Sequence, residues 1–149
     1  MKRLISVIVA LTLALSFMLA SAGVASASDC VYEGLTPGFW KNHTDVWVGA
    51  SPEQTLESLF DIPDVLGLDD YTLFEALKFG GGPGNIGAAK ILLRAAVAAY
   101  LNASDPDIAY AYGAATVRTM TNNALASLDR ATMLALADTF DVNNNLGTN

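Results

Sequence analysis

A nearly unbroken apolar run from about Asn85 to Asn102 constrains this chain more than any other feature. Ile86, Ile91, Leu92, Leu93, Val97, Tyr100 and Leu101 are set in alanine, with Lys90 and Arg94 as the charged interruptions. Those two residues lie four apart and so share one stripe of a helix. A helix apolar on almost every other side has to be enclosed by protein, as the centre of a bundle. At 1.5 Å per residue, Ile86 to Leu101 spans about 24 Å, which with its charges suits a core helix better than a membrane span. Its alanines let neighbouring helices approach closely.

The rest of the chain supplies the neighbours. Thr36-Pro37 has the form of an N-cap followed by proline in the first helical position. Ser51-Pro52-Glu53-Gln54 repeats the device, with Gln54 completing a capping box ahead of Leu56, Leu59 and Phe60. Thr72 and Glu75 make a further box before Leu73, Phe74, Leu77 and Phe79, and Gly80 is a helix stop. Ser104-Asp105-Pro106-Asp107 breaks the chain after the central helix. Two more helices are predicted, one over about 114–127 and one capped by Asp129 and running through Phe140. Asn143-Asn144-Asn145-Leu146-Gly147 reads as turn. No alternation of the strand type persists, so the prediction is an all-α bundle of five or six helices around the Ala/Leu-rich one.

The first 27 residues read as an export signal. Lys2 and Arg3 precede the apolar run Leu4–Leu19, and Ala25-Ser26-Ala27 supplies the small residues of a cleavage site. The expected mature chain starts at Ser28, forms a single helical domain over 28–149, and works outside the cell or at its surface. Without Lys2 and Arg3, six basic residues face fifteen acidic ones, a net charge of −9. Such a surface repels nucleic acid and, once the signal is removed, anionic membrane. Asp29 before Cys30 does not fit a lipidation signal. Cys30 is the one cysteine, so it is either a free thiol near the mature terminus or the link of a covalent dimer.

Several motifs invite chemistry. Gly82-Pro83-Gly84-Asn85-Ile86-Gly87 matches G-x-G-x-x-G, but helix rather than strand precedes it, and Ala88 stands where a Walker lysine belongs. It reads as a tight turn between helices. Asp141, Asn143 and Asn145 have the first spacings of a calcium loop, yet Leu146 takes the glycine position and no twelfth-position glutamate follows. Asp61, Asp64, Asp69 and Asp70 read as solvated acids of a connecting loop. No metal site or cofactor is expected. Asn42-His43-Thr44 and Asn102-Ala103-Ser104 are glycosylation sequons.

Both tryptophans and the single histidine fall within eight residues, Trp40 to Trp47, beside Phe39. On a continuous helix Trp40, His43 and Trp47 take positions i, i+3 and i+7 and share a face. Two readings stand open. One is an aromatic corner of the core, with indole and imidazole nitrogens bonded to backbone. The other is a ligand-binding face of Phe39, Trp40, His43 and Trp47, suited to a glycan, a cell-envelope component or another surface protein. Catalysis has little to build on, since no nucleophile has an evident histidine partner and no pair of carboxylates stands out. The alternative to a non-enzymatic module is a small secreted hydrolase using His43 with a carboxylate.

The stretch Thr36-Pro37-Gly38-Phe39-Trp40-Lys41-Asn42-His43 resembles the T-P-G-[FY]-W-K-N-H signature of an uncharacterised module of secreted bacterial and archaeal proteins. Thr72 to Gly84, Ile91-Leu92-Leu93-Arg94-Ala95-Ala96 and Asn144-Asn145-Leu146-Gly147 are similar to later parts of that module. The resemblance implies an exported, often surface-associated protein and no established activity, so it implies no catalytic residues. Members often carry one cysteine beside T-P-G and another after N-N-x-G. This chain departs from that pattern, with Leu35 before Thr36, Thr148 after Gly147, and its cysteine at Cys30.

Overall fold

The protein is built around the helix that the apolar run demanded. In the computed structural model, which describes residues 31–148, α4 (Gly84–Ser104) is the longest element. The predicted signal segment, its cleavage site and Cys30 lie outside the described residues. Preceding α4 are three short helices, α1 (Pro37–Asn42), α2 (Leu56–Leu59) and α3 (Leu73–Ala76); α5 (Ala114–Ala126) and α6 (Arg130–Asn144) follow it. The described residues therefore form an all-α bundle of six helices, with no strand and two isolated antiparallel bridges.

The central position of α4 follows from its composition. Ala88, Ala89, Ala95, Ala96, Ala98 and Ala99 are fully buried alongside Leu92, Leu93, Val97 and Leu101. α1, α3, α5 and α6 all pack against it, with α6 making the most extensive contact. Small side chains permit this, since close-packed interiors leave little room for anything larger between adjacent backbones. Although long and apolar enough to cross a membrane, α4 has 67% of its most apolar stretch buried inside the protein. Lys90, Ile91 and Arg94 form its half-exposed stripe.

Three predicted caps are present. The Thr36 hydroxyl accepts from Phe39 N at 3.1 Å, with Pro37 opening α1. Thr72 and Glu75 form a complete capping box on α3, and Asp129 accepts from Thr132 N at 2.7 Å to start α6. The second predicted start moves. Ser51–Gln54 is a turn, Ser51 N reaches Gln54 Oε1 only at 3.4 Å, and α2 begins at Leu56. An antiparallel bridge between Thr55 and Thr72 fixes that start, with Leu56 N donating to Tyr71 O and Leu73 N to Gln54 O, both at 2.8 Å.

The cap carboxylates make the helix starts sensitive to acid. Thr72 N–H and hydroxyl hold the Glu75 carboxyl below its usual range, and Thr132 does the same for Asp129. A carboxylate whose folded pKa is depressed adds stability that is present above its unfolded pKa and lost as pH falls through the folded value. Urea midpoints are therefore expected to drop below about pH 4, and Glu75→Gln together with Asp129→Asn should shrink that drop. An unchanged acid slope in the double variant would show that these caps do not set it.

One expectation at the C-terminal end is overturned. Asn143 and Asn144 belong to α6, and a turn begins only after them. The extra helical residues carry Asn144 into the core, where its Nδ2 donates to Ala95 O at 3.0 Å and its Oδ1 accepts from Tyr110 Oη at 2.9 Å. Beyond it, Gly34 and Gly147 exchange hydrogen bonds of 2.9 and 3.0 Å, fastening the two ends of the described chain together. That approach demands glycine at 34, because a Cβ there would sit 2.1 Å from Asn143 O.

Candidate functional site

The aromatic segment divides around α1. Trp40 faces inward and is fully buried, its Nε1–H donating to Asn102 Oδ1 at 3.1 Å. Asn102 is equally buried and uses its whole amide. Its Oδ1 also accepts from Leu35 N at 2.9 Å, and its Nδ2 donates to Leu35 O at 2.9 Å and to Asn144 Oδ1 at 3.0 Å. The α1 motif, the end of α4 and the end of α6 thus meet at one satisfied polar knot. A glycan on Asn102 would replace one of the two amide hydrogens it donates and would have to enter a fully buried position, so that sequon is closed in the folded protein. Asn42 is exposed, with its Nδ2 bonded to Gly38 O.

The shared face expected for Trp40, His43 and Trp47 does not form, because α1 ends at Asn42 and a 3₁₀ turn, Thr44–Val46, follows. Half-buried Trp47 folds back so that its indole N–H donates to Trp40 O at 3.0 Å. Phe39 and His43 stack instead, 4.2 Å apart and 15° from parallel, and Phe39 meets Trp40 edge-on at 5.3 Å. His43 Nδ1 lies 2.8 Å from Phe39 O. A carbonyl oxygen can only accept, so Nδ1 carries the proton in this arrangement. Among the described residues no carboxylate, serine or threonine side chain hydrogen-bonds to the imidazole.

On its other side, α1 forms one wall of a cleft of about 380 Å³. Thr36, Pro37, Gly38 and Lys41 come from α1 and its cap, Leu77 follows α3, Arg94 comes from α4, and Asp141 and Asn145 come from the end of α6. Arg94 makes one long hydrogen bond, from Nη1 to Phe79 O at 3.5 Å. Burial pushes the Asp141 carboxyl up, Arg94 partly offsets that, and Asp138 adds to it. Among the described residues neither Arg94 nor Asp141 has an ion-pair partner in contact. The cleft thus holds opposite charges within electrostatic reach of each other but not paired.

Arg94 was visible in the sequence as one of two charges on the central helix. Asp141 and Asn145 were visible as the first and last positions of an x, x+2, x+4 series. On a helix that series cannot converge on an ion: Asn145 Nδ2 turns to Asp141 O, and Asn143 Nδ2 to Thr139 O at 2.8 Å. Asp61 bonds Asn122 through both its N–H and its carboxylate. The described residues contain no group of three metal-ligating side chains.

Neither remaining feature rivals the cleft. Another groove, of about 400 Å³, is lined by Val65, Leu66, Gly84, Asn85, Ile86 and Leu128 and has no charged wall. At the glycine-rich turn Arg130 Nη1 donates to Gly82 O and Gly84 O. No strand among the described residues leads into this turn, so it is not the phosphate cradle of a βαβ unit. Comparison with family models, curated proteins and solved structures returned no match.

Proposed function

We propose that the protein is a secreted, non-enzymatic module of the extracellular space or cell surface, and that it binds a ligand in the cleft beside α1. The export reading rests on Lys2-Arg3, the Leu4–Leu19 run and Ala25-Ser26-Ala27. The binding reading rests on one observation: Arg94 and Asp141 line the same cleft without pairing. Partly buried charges left without partners are costly, and a ligand that completes them recovers that cost. Each of the four segments that carry the family resemblance also contributes to the cleft, through Thr36–Lys41, Leu77, Arg94 and Asn145. A small ligand, or an exposed group of an envelope component or surface protein, fits a recess of this size.

The aromatic residues support the site rather than form it. Trp40 is sealed in the core, and Phe39 and His43 each present one ring face to the other. A glycan stacking on this corner would have to compete with that existing stack.

Amide NMR of the mature protein, titrated with a panel of sugars, amino acids, dicarboxylates and short peptides, tests the site. Shifts are expected to cluster at Gly38, Lys41, Arg94, Asp141 and Asn145, and to fall away in Arg94→Gln. Shifts centred elsewhere, or none across the panel, would overturn the assignment.

A further inference from the structure

We infer that the cleft takes a small zwitterion, an amino acid or short peptide whose free carboxylate sits on Arg94 and whose free ammonium sits on Asp141. This inference rests on the cleft being the binding site and adds the chemistry of the ligand.

The charges select it by elimination. A simple anion on Arg94 would share the cleft with the Asp141 carboxylate and leave that charge uncompensated. A simple cation at Asp141 would face both Arg94 and Lys41. A neutral sugar could hydrogen-bond both groups through its hydroxyls but would bring no opposite charge to either. A molecule carrying both signs answers each group with its opposite.

Geometry supports the same choice. Guanidinium offers a planar fork of N–H groups matched to carboxylate, and among the described residues Arg94 commits only one long bond. Its backbone is held by α4, whose neighbouring positions Leu93 and Ala95 are fully buried, so the fork projects from a rigid element. Asp141 faces from α6, and its carboxylate makes no hydrogen bond to the described residues. Pro37 and Leu77 supply apolar surface for a small side chain, and Asn145 supplies an amide on the same wall as Asp141. Lys41 is exposed and remains solvated, so it adds long-range attraction for the carboxylate end.

Calorimetric titration of the mature protein with L-alanyl-L-alanine tests the proposal, with the N-acetylated and C-amidated dipeptides as controls. Saturable binding of the free dipeptide is expected, weakened about tenfold or more by blocking either end, the effect of losing one charge-assisted hydrogen bond. In Arg94→Gln the amidated and free dipeptides should bind alike. In Asp141→Asn, nearly the same shape as the native residue, the acetylated and free dipeptides should bind alike. Circular dichroism would confirm that both variants keep their helices. Absence of binding at about 10 mM dipeptide, or indifference to both blocking groups, overturns the zwitterion. If sugars or dicarboxylates alone still shift the cleft amides, the cleft survives and only its ligand class is wrong; if no panel member does, both readings fall.

Discussion

Replacing Asn102 by alanine is expected to destabilise the protein by about 4 kcal/mol, a large share of the 5–15 kcal/mol that holds a typical domain together. Alanine is the better helix former, so helix propensity would act in the opposite direction. The loss comes from what the amide leaves behind. Trp40 Nε1, both backbone groups of Leu35 and one bond to Asn144 lose their partner at once. Each orphaned buried polar group costs about 1–3 kcal/mol, more than the net value of the bond it made. Tyr110→Phe removes a single bond to Asn144 and should cost only about 1 kcal/mol. Urea denaturation followed by tryptophan emission measures both. A loss under about 1 kcal/mol in Asn102→Ala would mean that water or a shifted Leu35 replaces the amide readily.

Gly87→Ala carries the second large effect, about 3 kcal/mol at the upper end of what overpacking costs. An added Cβ would stand 2.0 Å from Gly82 O, 2.2 Å from its carbonyl carbon and 2.7 Å from its Cα. All three are backbone atoms, so no rotamer change relieves the clash. The turn leading into α4 has to lift away, and it carries the Gly82 and Gly84 carbonyls bound by Arg130. Gly38→Ala makes the contrast, since its nearest neighbour would be Thr36 Oγ1 at an ordinary 3.5 Å. Thermal unfolding should separate the two variants clearly; equal midpoints would show that the turn moves at little cost. The last glycine of this G-x-G-x-x-G sequence is needed for packing of loop on helix, which explains the motif without a nucleotide.

The fold was legible where local chemistry settles it. Alanine and leucine on all sides of one segment can be satisfied only by burial, and caps such as Thr72 with Glu75 act over three residues that lie together in the sequence. Errors arose where a distant partner decided. Asn144 looked like turn material because asparagine favours turns, yet Ala95, Asn102 and Tyr110 give it enough bonds to stay helical. The i, i+3, i+7 arithmetic for Trp40, His43 and Trp47 assumed a continuous helix, and burial of Trp40 against Asn102 came with a break at His43. The candidate site was the least visible of all. Arg94 and Asp141 are far apart in the chain, and nothing local to either shows that α4 and α6 bring them to one recess.

The Gly34–Gly147 bridge has a mechanical consequence. Because the pairing is antiparallel, the leads before Gly34 and after Gly147 leave side by side. Tension between them would first draw on Glu33, whose N–H donates to Ala109 O, and then unzip this latch bond by bond rather than shear it. The load would then pass to Leu35, whose N–H and C=O are both gripped by Asn102. A tethered molecule would therefore slacken first at its paired ends, while the alanine helix behind them kept its packing.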